Sequence, residues 1–184
     1  MSAQAQWLLG AAVALVVAAA MEPWARLLHG RVWHASLWGI HRSHHGRRRG
    51  RFERNDVLSA AHAPIAAALV MIGCNLHGAA APACIGVGVG MTIFGLAYVL
   101  VHDGFVHGRL PVRFLARVAW LRRVRDAHAA HHARGAAPYG FFLGTREPKQ
   151  TPRAPAGPPS AQRPSGRAPA SPRGRRRGAA RPSA

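Results

Sequence analysis

Three long runs of apolar residues constrain the fold of this chain more than any other feature of its sequence. They cover residues 7–21, 57–73 and 79–101. A helix that crosses a bilayer needs about 20 apolar residues, within a range of roughly 17–25, and the first two runs lie toward the short end of it. Glycines, which are frequent in the third run, are common in membrane helices. We therefore expect an all-α integral membrane protein with about three to four transmembrane helices.

The arginines predict how these helices are oriented. Residues 1–25 and 55–108 contain no Lys or Arg, whereas 26–54 and 109–134 contain eight and seven arginines. An excess of positive charge marks cytoplasmic loops, so both arginine-rich segments are expected on the cytoplasmic side. The first run has neither a basic segment before it nor a convincing cleavage site after it, which favours an uncleaved span over a signal peptide.

The strong positive charge of the chain first suggests a nucleic-acid or anionic-membrane partner, because 25 basic residues face six acidic ones. Much of this charge belongs to residues 149–184, which are rich in Pro, Ala, Gly, Ser and Arg. Such a segment buries too little apolar surface to offset its ordering entropy and is predicted to be disordered. We therefore expect a membrane domain over 1–148 that contacts lipid and binds no nucleic acid.

The histidines form a repeated pattern. Ten of the twelve lie in two windows, and each window reads H-x-x-x-x-H followed by H-x-x-H-H. The two windows together contain His29, His34, His41, His44, His45, His102, His107, His128, His131 and His132. Histidines three and four apart share one face of an α-helix. A spacing of five turns an α-helix about 140° beyond a full revolution, at about 100° per residue, so those pairs should flank a pocket rather than stack.

Both windows are expected on one membrane side, as a histidine-rich helical cap that holds metal. Ten imidazoles exceed the roughly four ligands of a structural zinc, which indicates two ions. Imidazole binds zinc, copper, iron or nickel, so the ligand type does not choose the metal. Attack on an unactivated C–H bond of a lipid-soluble substrate would need a redox metal and dioxygen, which favours iron. His62 and His77 stand alone and are expected to be ordinary polar residues.

Several other polar residues are candidates for supporting roles. Metal-bound histidines usually donate their second N–H to a carboxylate or carbonyl, and Asp103, Asn55 and Asp56 lie near the proposed ligands. Asp56 is at least as well placed to cap the second span. Glu53 and Asp126 are expected to pair either with the metal site or with nearby arginines. Pro111 is predicted to open an interfacial helix within 108–127.

The cysteines do not point to one state. Cys74 and Cys84 lie at the ends of the turn between the second and third spans. Whether they form a disulfide stays undecided at this point. The favoured interpretation is that both are small, buried apolar residues.

This arrangement of histidines resembles the fatty acid hydroxylase superfamily of membrane di-iron oxygenases. Within it, "HRSHH", "GRFERNDVLSA" and "GMTIFGLAYVLVHDGFVHGRLPVRF" resemble the bacterial β-carotene 3-hydroxylases. The resemblance covers roughly residues 20–145. It implies two irons held by the ten histidines, dioxygen as oxidant, and electrons from a ferredoxin-type donor and its reductase. It also implies hydroxylation at C3 of β-ionone rings, from β-carotene through β-cryptoxanthin to zeaxanthin, with ketolated rings as further substrates, in a bacterial inner membrane.

Two alternatives stay open at this point. A fatty acid or sterol hydroxylase or desaturase of the same superfamily would use the same site with a different channel. A membrane metal carrier would use the histidines as a transfer ladder and would be expected to place acids within its spans. The three apolar runs contain no acid, which counts against transport.

Overall fold

The computed structural model describes residues 1–46, 50 and 52–147, and this part of the chain is helical without a strand. The α-helices are Ala3–Leu27 (α1), Trp38–His45 (α2), Asp56–Ala60 (α3), His62–Gly73 (α4), Ala80–Tyr98 (α5) and Ala119–Arg134 (α6). Two π-helical segments continue α1 and α5: Leu28–Trp33, the first π segment, and Val99–Val106, the second π segment. The expected all-α fold is confirmed. The predicted disordered segment, 149–184, lies outside the described residues.

Three helical stretches of the described residues are long and apolar enough to cross a membrane: Ala3–Trp33, Asp56–Gly73 and Ala80–Val106. Each contains one of the apolar runs, so the described residues hold three of the expected three to four spans. Large apolar side chains cover their outer surfaces; Trp7 is 81% exposed and Leu15 is 69% exposed. Apolar side chains exposed in this way are suited to lipid rather than to water.

Glycines bring the three spans close together, with α5 in the centre. A Cβ atom on Gly90 would lie 2.5 Å from the carbonyl oxygen of Ala14 in α1. One on Gly88 would lie 2.6 Å from the carbonyl oxygen of Ala66 in α4. These helices approach so closely that a side chain at either position would clash, which is how small residues pack membrane helices together.

The interfacial helix predicted to begin at Pro111 is absent from the described residues. Arg113–Arg117 form a short 3-10 turn, Val118 is extended with φ −83° and ψ 114°, and α6 begins at Ala119. The Arg122 guanidinium donates to the carbonyl oxygens of Ala116 and Arg117, at 2.6 and 3.2 Å. Because a side chain satisfies these carbonyls, the chain can turn before α6 instead of continuing as one helix.

Neither cysteine forms a disulfide. Cys74 is exposed, so the expectation of two buried residues was wrong for it, while the Cys84 thiol donates to the carbonyl oxygen of Leu69 at 3.2 Å.

Candidate metal centre

The π segments bring together the histidines that are five residues apart. The His34 backbone N–H donates to the carbonyl of His29 at 3.1 Å, and that of His107 donates to the carbonyl of His102 at 3.0 Å. This i→i+5 bond defines a π turn and brings the two residues it joins close together. The rings of each pair are consequently 5.1 and 4.6 Å apart between centroids. The rings are inclined at 49° and 64° rather than stacked, and His29 and His34 flank one group of candidate ligands, as expected. What differs from the expectation is the turn that places them, which is π-helical and not α-helical.

Nine of the ten histidines converge in two clusters, in each of which the candidate ligand nitrogens lie within 4.8 Å of one another. The first cluster contains His29, His34, His41, His45 and His131. The second cluster contains His44, His107, His128 and His132. Both lie where the ends of two spans meet α2 and α6. The clusters are adjacent, since the ring of His45 stacks on that of His132 with centroids 4.3 Å apart.

The remaining histidine, His102, lies beside the second cluster. Its ring centroid is 4.6 Å from those of His107 and His128 and 5.0 Å from that of His44. The ring is 4% exposed and packs on Tyr98 at 4.4 Å. All ten histidines of the two sequence windows therefore meet at one site.

Each H-x-x-H-H motif contributes to both clusters. In α2, His41 and His45 belong to the first cluster and His44 to the second. In α6 the assignment is reversed, with His131 in the first cluster and the pair His128 and His132 in the second. Residues four apart stack along a helix, so each motif offers a pair to one cluster and a single ring to the other. Two helices with the same motif thus build two neighbouring sites.

Hydrogen bonds at Nδ1 fix the orientation of five of these rings. The acceptors are the carbonyl of Tyr139 for His29, Asn55 Oδ1 for His41, Glu53 Oε2 for His44, Asp103 Oδ1 for His102 and the carbonyl of Ala136 for His131. The distances run from 2.6 Å for His41 to 3.2 Å for His44. Since oxygen accepts in each case, Nδ1 carries the proton and Nε2 keeps a lone pair. This is the arrangement that metal-bound histidines show.

Burial and mutual repulsion keep the imidazoles neutral. Burial first, and then the neighbouring His131 and His41, lower the pKa of His34 to about 4. The same causes, burial first and then other histidines of the clusters, lower the pKa of His45 to about 2 and that of His132 to about 3. The pKa values of His44 and His128 are also lowered. Neutral imidazoles have the free lone pairs that a metal ion requires.

The nitrogens that face the clusters lack the partners that buried polar atoms usually have. Nε2 of His29, His44 and His132 is buried without a hydrogen bond among the described residues. Nε2 of His131 differs: because Nδ1 of this ring carries the proton, its Nε2 accepts from Nε2 of His34 at 3.1 Å. Buried unpaired acceptors are costly, and a cation would satisfy them. The donor set therefore fits metal ions.

Arg109 links the carboxylates around the second cluster. Its guanidinium lies 2.9 Å from Glu53 Oε2, 2.8 Å from Asp56 Oδ1 and 3.8 Å from Asp103 Oδ2. Glu53 and Asp103 are in turn the acceptors for His44 and His102. Glu53 thus pairs with a histidine and an arginine at once, which the sequence had left open.

Asp56 and Asp126 have other partners. Asp56 is the first residue of α3, and its Oδ2 accepts the backbone N–H of Glu53, which precedes the helix, at 2.9 Å. The expectation that Asp56 caps the helix was wrong, since no side chain of the described residues binds the N–H groups at the beginning of α3. The other carboxylate oxygen of Asp56 binds Arg109. Asp126 pairs with Arg125 at 3.2 Å on an exposed surface. Asn55, which is 2% exposed, and Asp103 are the two sequence-proposed supporting residues that contact ligand rings.

Two glutamates that the sequence did not single out hold the segment 136–147 against the site. Glu22 Oε1 accepts the backbone N–H groups of Phe142 and Leu143 at 3.0 and 2.9 Å. The carboxylate of Glu147 accepts those of Tyr139 and Gly140 at 2.9 and 2.6 Å. The segment carries the carbonyls that orient His29 and His131. Contrary to expectation, the spans contain acids, because the helices continue past the apolar runs and include Glu22, Asp56 and Asp103.

An apolar cavity of about 610 Å³ adjoins the centre. Its inner wall includes Trp33, Tyr98 and Phe141. Phe141 stacks on His29 with centroids 5.5 Å apart, and Tyr98 stacks on His102. One aromatic layer therefore separates the cavity from the histidines.

The sequence of this chain is similar to those of known proteins. Residues 14–146 match the fatty acid hydroxylase family. The chain is 47% identical over 138 residues to β-carotene hydroxylase 1 of Capsicum annuum and 46% identical to β-carotene 3-hydroxylase 1 of Arabidopsis thaliana. Both alignments cover 74% of this chain and 44% of the relative, so the chain spans less than half the length of these chloroplast proteins.

A bacterial relative is covered more fully. The chain is 37% identical over 144 residues to the β-carotene hydroxylase of Pantoea ananas, which covers 74% of this chain and 78% of the relative. No solved structure matches the chain. The family match includes the nine histidines of the two clusters and His102 beside them, and the chain belongs to the fatty acid hydroxylase family.

Proposed function

We propose that this protein is a dioxygen-dependent di-iron hydroxylase that acts at C3 of β-ionone rings. The reaction would convert β-carotene to β-cryptoxanthin and then to zeaxanthin, with ketolated rings as further substrates. The observation that carries the proposal is the pair of neutral imidazole clusters beside an apolar cavity. The names of the plant and bacterial relatives supply the substrate class.

The ten histidines are the proposed ligands. One iron would be held by the first cluster, and the other by the second cluster together with His102. When bound, the two irons would supply the activation of dioxygen that attack on an unactivated C–H bond requires. Three observations support this set: the buried, unpaired Nε2 atoms, the protonated Nδ1 atoms, and the division of both H-x-x-H-H motifs between the clusters.

The rest of the site would position ligands and exclude water. Asn55, Glu53 and Asp103 hold the imidazoles of His41, His44 and His102 in the orientation that presents Nε2. Arg109 neutralises the carboxylates and keeps them in place, so that Glu53 and Asp103 accept from histidine instead of repelling each other. The apolar cavity would receive the ring of the substrate, because a hydrocarbon gains free energy by leaving water but carries no group to hydrogen bond.

We also propose that the active site faces the cytoplasm of a bacterium, in its inner membrane. The arginine-rich segments and both histidine windows lie at the same ends of the spans, which supports this orientation. A ferredoxin and its reductase would supply electrons from that side. A metal carrier is disfavoured, since the histidines gather at one site instead of following the spans.

Expression in bacterial cells that accumulate β-carotene tests the activity. Chromatography of extracted pigments should show β-cryptoxanthin and zeaxanthin, and His44→Ala and His131→Ala should each abolish them. His77→Ala is the matched control and should leave them unchanged. Iron content of the purified variants is measured in parallel. The proposal fails if an iron-loaded protein, supplied with ferredoxin, reductase and dioxygen, yields no hydroxylated carotenoid, or if it hydroxylates fatty acids or sterols instead.

A further inference from the structure

The apolar cavity is a cleft between α1 and α4, with α5 as its floor. Its walls include Met21 and Ala25 of α1, Ala63 and Ala67 of α4, and Gly95 of α5. Both α1 and α4 pack along α5, whereas they hardly contact each other. A gap therefore runs between the two outer helices on one face of α5. The α4 wall carries small side chains such as Ala63 and Ala67, which take up little of the gap.

The cleft opens to the side of the helices, where lipid would surround them. Residues at its rim belong to spans and are exposed: Leu96 is 67% exposed and Val99 is 47% exposed, although both line the cavity. Phe52, which also lines it, is 87% exposed. Exposed apolar side chains that continue into an apolar cavity form a surface suited to a solute arriving from a bilayer.

One hydrogen bond joins the two walls of the cleft. The indole Nε1–H of Trp24 in α1 donates to Nε2 of His62 in α4 at 3.0 Å. Both residues line the cavity, and Trp24 is 47% exposed, so the bond lies toward its outer edge. His62 is not part of the histidine clusters, and the metal site makes no use of it. A bulky indole tied across a cleft between helices that otherwise hardly touch obstructs passage between them.

The inner end of the cleft lies at the metal centre. Trp33, Tyr98 and Phe141 line it, and their rings pack on His29 and His102. A solute that enters between α1 and α4 thus reaches the aromatic layer over the histidines without passing through water. The cleft is therefore open toward lipid at its outer end and reaches the histidines at its inner end, as a route from lipid to the site requires.

From this geometry we infer that the α1–α4 cleft admits an apolar, ring-ended hydrocarbon sideways from the bilayer, and that the Trp24–His62 bond is the clasp that opens to let it pass. The inference rests on the proposed function for the identity of the solute, β-carotene. It assigns His62 a role as a positioning residue at the entrance, outside the metal centre.

A cross-link across the cleft tests the clasp. In a Cys74→Ser/Cys84→Ser background, Trp24→Cys and His62→Cys are combined in the full chain, which is reconstituted in lipid nanodiscs. A short bis-maleimide then joins the two cysteines, either before or after β-carotene is added to the bilayer. The protein is extracted and washed in detergent, and the pigment that it retains is measured by its visible absorbance. N-ethylmaleimide and the two single-cysteine variants are the controls.

The expected result depends on the order of addition. Cross-linking before loading should reduce retained β-carotene at least tenfold relative to N-ethylmaleimide, and cross-linking after loading should trap pigment that the controls lose on washing. Equal retention in both orders, or no retention in any sample, would overturn the inference. Since no turnover is required, a chain that binds pigment through this entrance but forms no zeaxanthin would refute the proposed reaction while sustaining the clasp.

Discussion

Replacing Asn55 with leucine removes a single acceptor from the metal centre while keeping a side chain of similar shape. Asn55 Oδ1 accepts from His41 Nδ1 at 2.6 Å, and the two residues are 2% and 1% exposed. Neither water nor another residue can easily replace the bond at such depth. An unsatisfied buried donor costs about 1–3 kcal/mol. That range corresponds to the loss of about 10- to 100-fold in metal affinity that follows when the partner of a ligating histidine is removed.

The iron affinity of purified Asn55→Leu in detergent is compared with that of the parent protein by competition with a chelator under anaerobic conditions. Asn55→Asp is the matched control, because its carboxylate retains an acceptor for His41 and should restore most of the affinity. Circular dichroism checks that all three proteins have the same helix content. An Asn55→Leu protein that binds iron within twofold of the parent would show that this bond does not orient a metal ligand.

Three further predictions concern other parts of the structure. Glu22→Leu removes the acceptor of two backbone N–H groups, those of Phe142 and Leu143. The segment 136–147 should then become sensitive to protease, and the iron affinity should fall. Glu22→Gln keeps an acceptor and should resemble the parent protein. Gly90→Ala places a Cβ 2.5 Å from a backbone oxygen of α1, so it should destabilise the fold by about 1–3 kcal/mol, measured by thermal unfolding in detergent. Gly95→Ala is the control and should have no such effect, because a Cβ there meets no atom within 4 Å. Burial lowers the pKa of His131 from 6.5 to about 4. Between pH 6.5 and 4 this histidine is therefore protonated in the unfolded chain but neutral in the folded chain. The melting temperature of the metal-free protein should therefore fall as the pH drops from 6.5 to 4 and stay constant above 7, and a flat profile would contradict the assignment.

The sequence determined the membrane fold and which histidines could gather at one site, because both depend on residue type and spacing. Apolar runs of sufficient length must form helices in a bilayer, where every backbone polar group has to be satisfied within the segment. Two copies of H-x-x-H-H on helices must present three imidazoles to one side. These rules need no knowledge of what each helix packs against.

Only the tertiary structure decided how nine of the ten histidines divide into two clusters, with His102 beside the second. The spacing of five in His29–His34 and His102–His107 implied divergence on an α-helix, but π turns at the ends of two spans bring each pair together. The spacing of five occurs in both histidine windows, and this repetition was the sequence signal for the two π turns.

The partners that orient the rings are equally tertiary. The carbonyl of Tyr139 lies 110 residues from the ring of His29, and Glu22 holds Leu143 from 121 residues away. Such contacts depend on how α1, α6 and the following segment pack, and no local pattern encodes them. The cleft between α1 and α4 has the same origin, since it exists because both helices pack on the glycines of α5 instead of on each other. Residue spacing fixed which groups could bind metal, and packing fixed how they share it and how a solute reaches it.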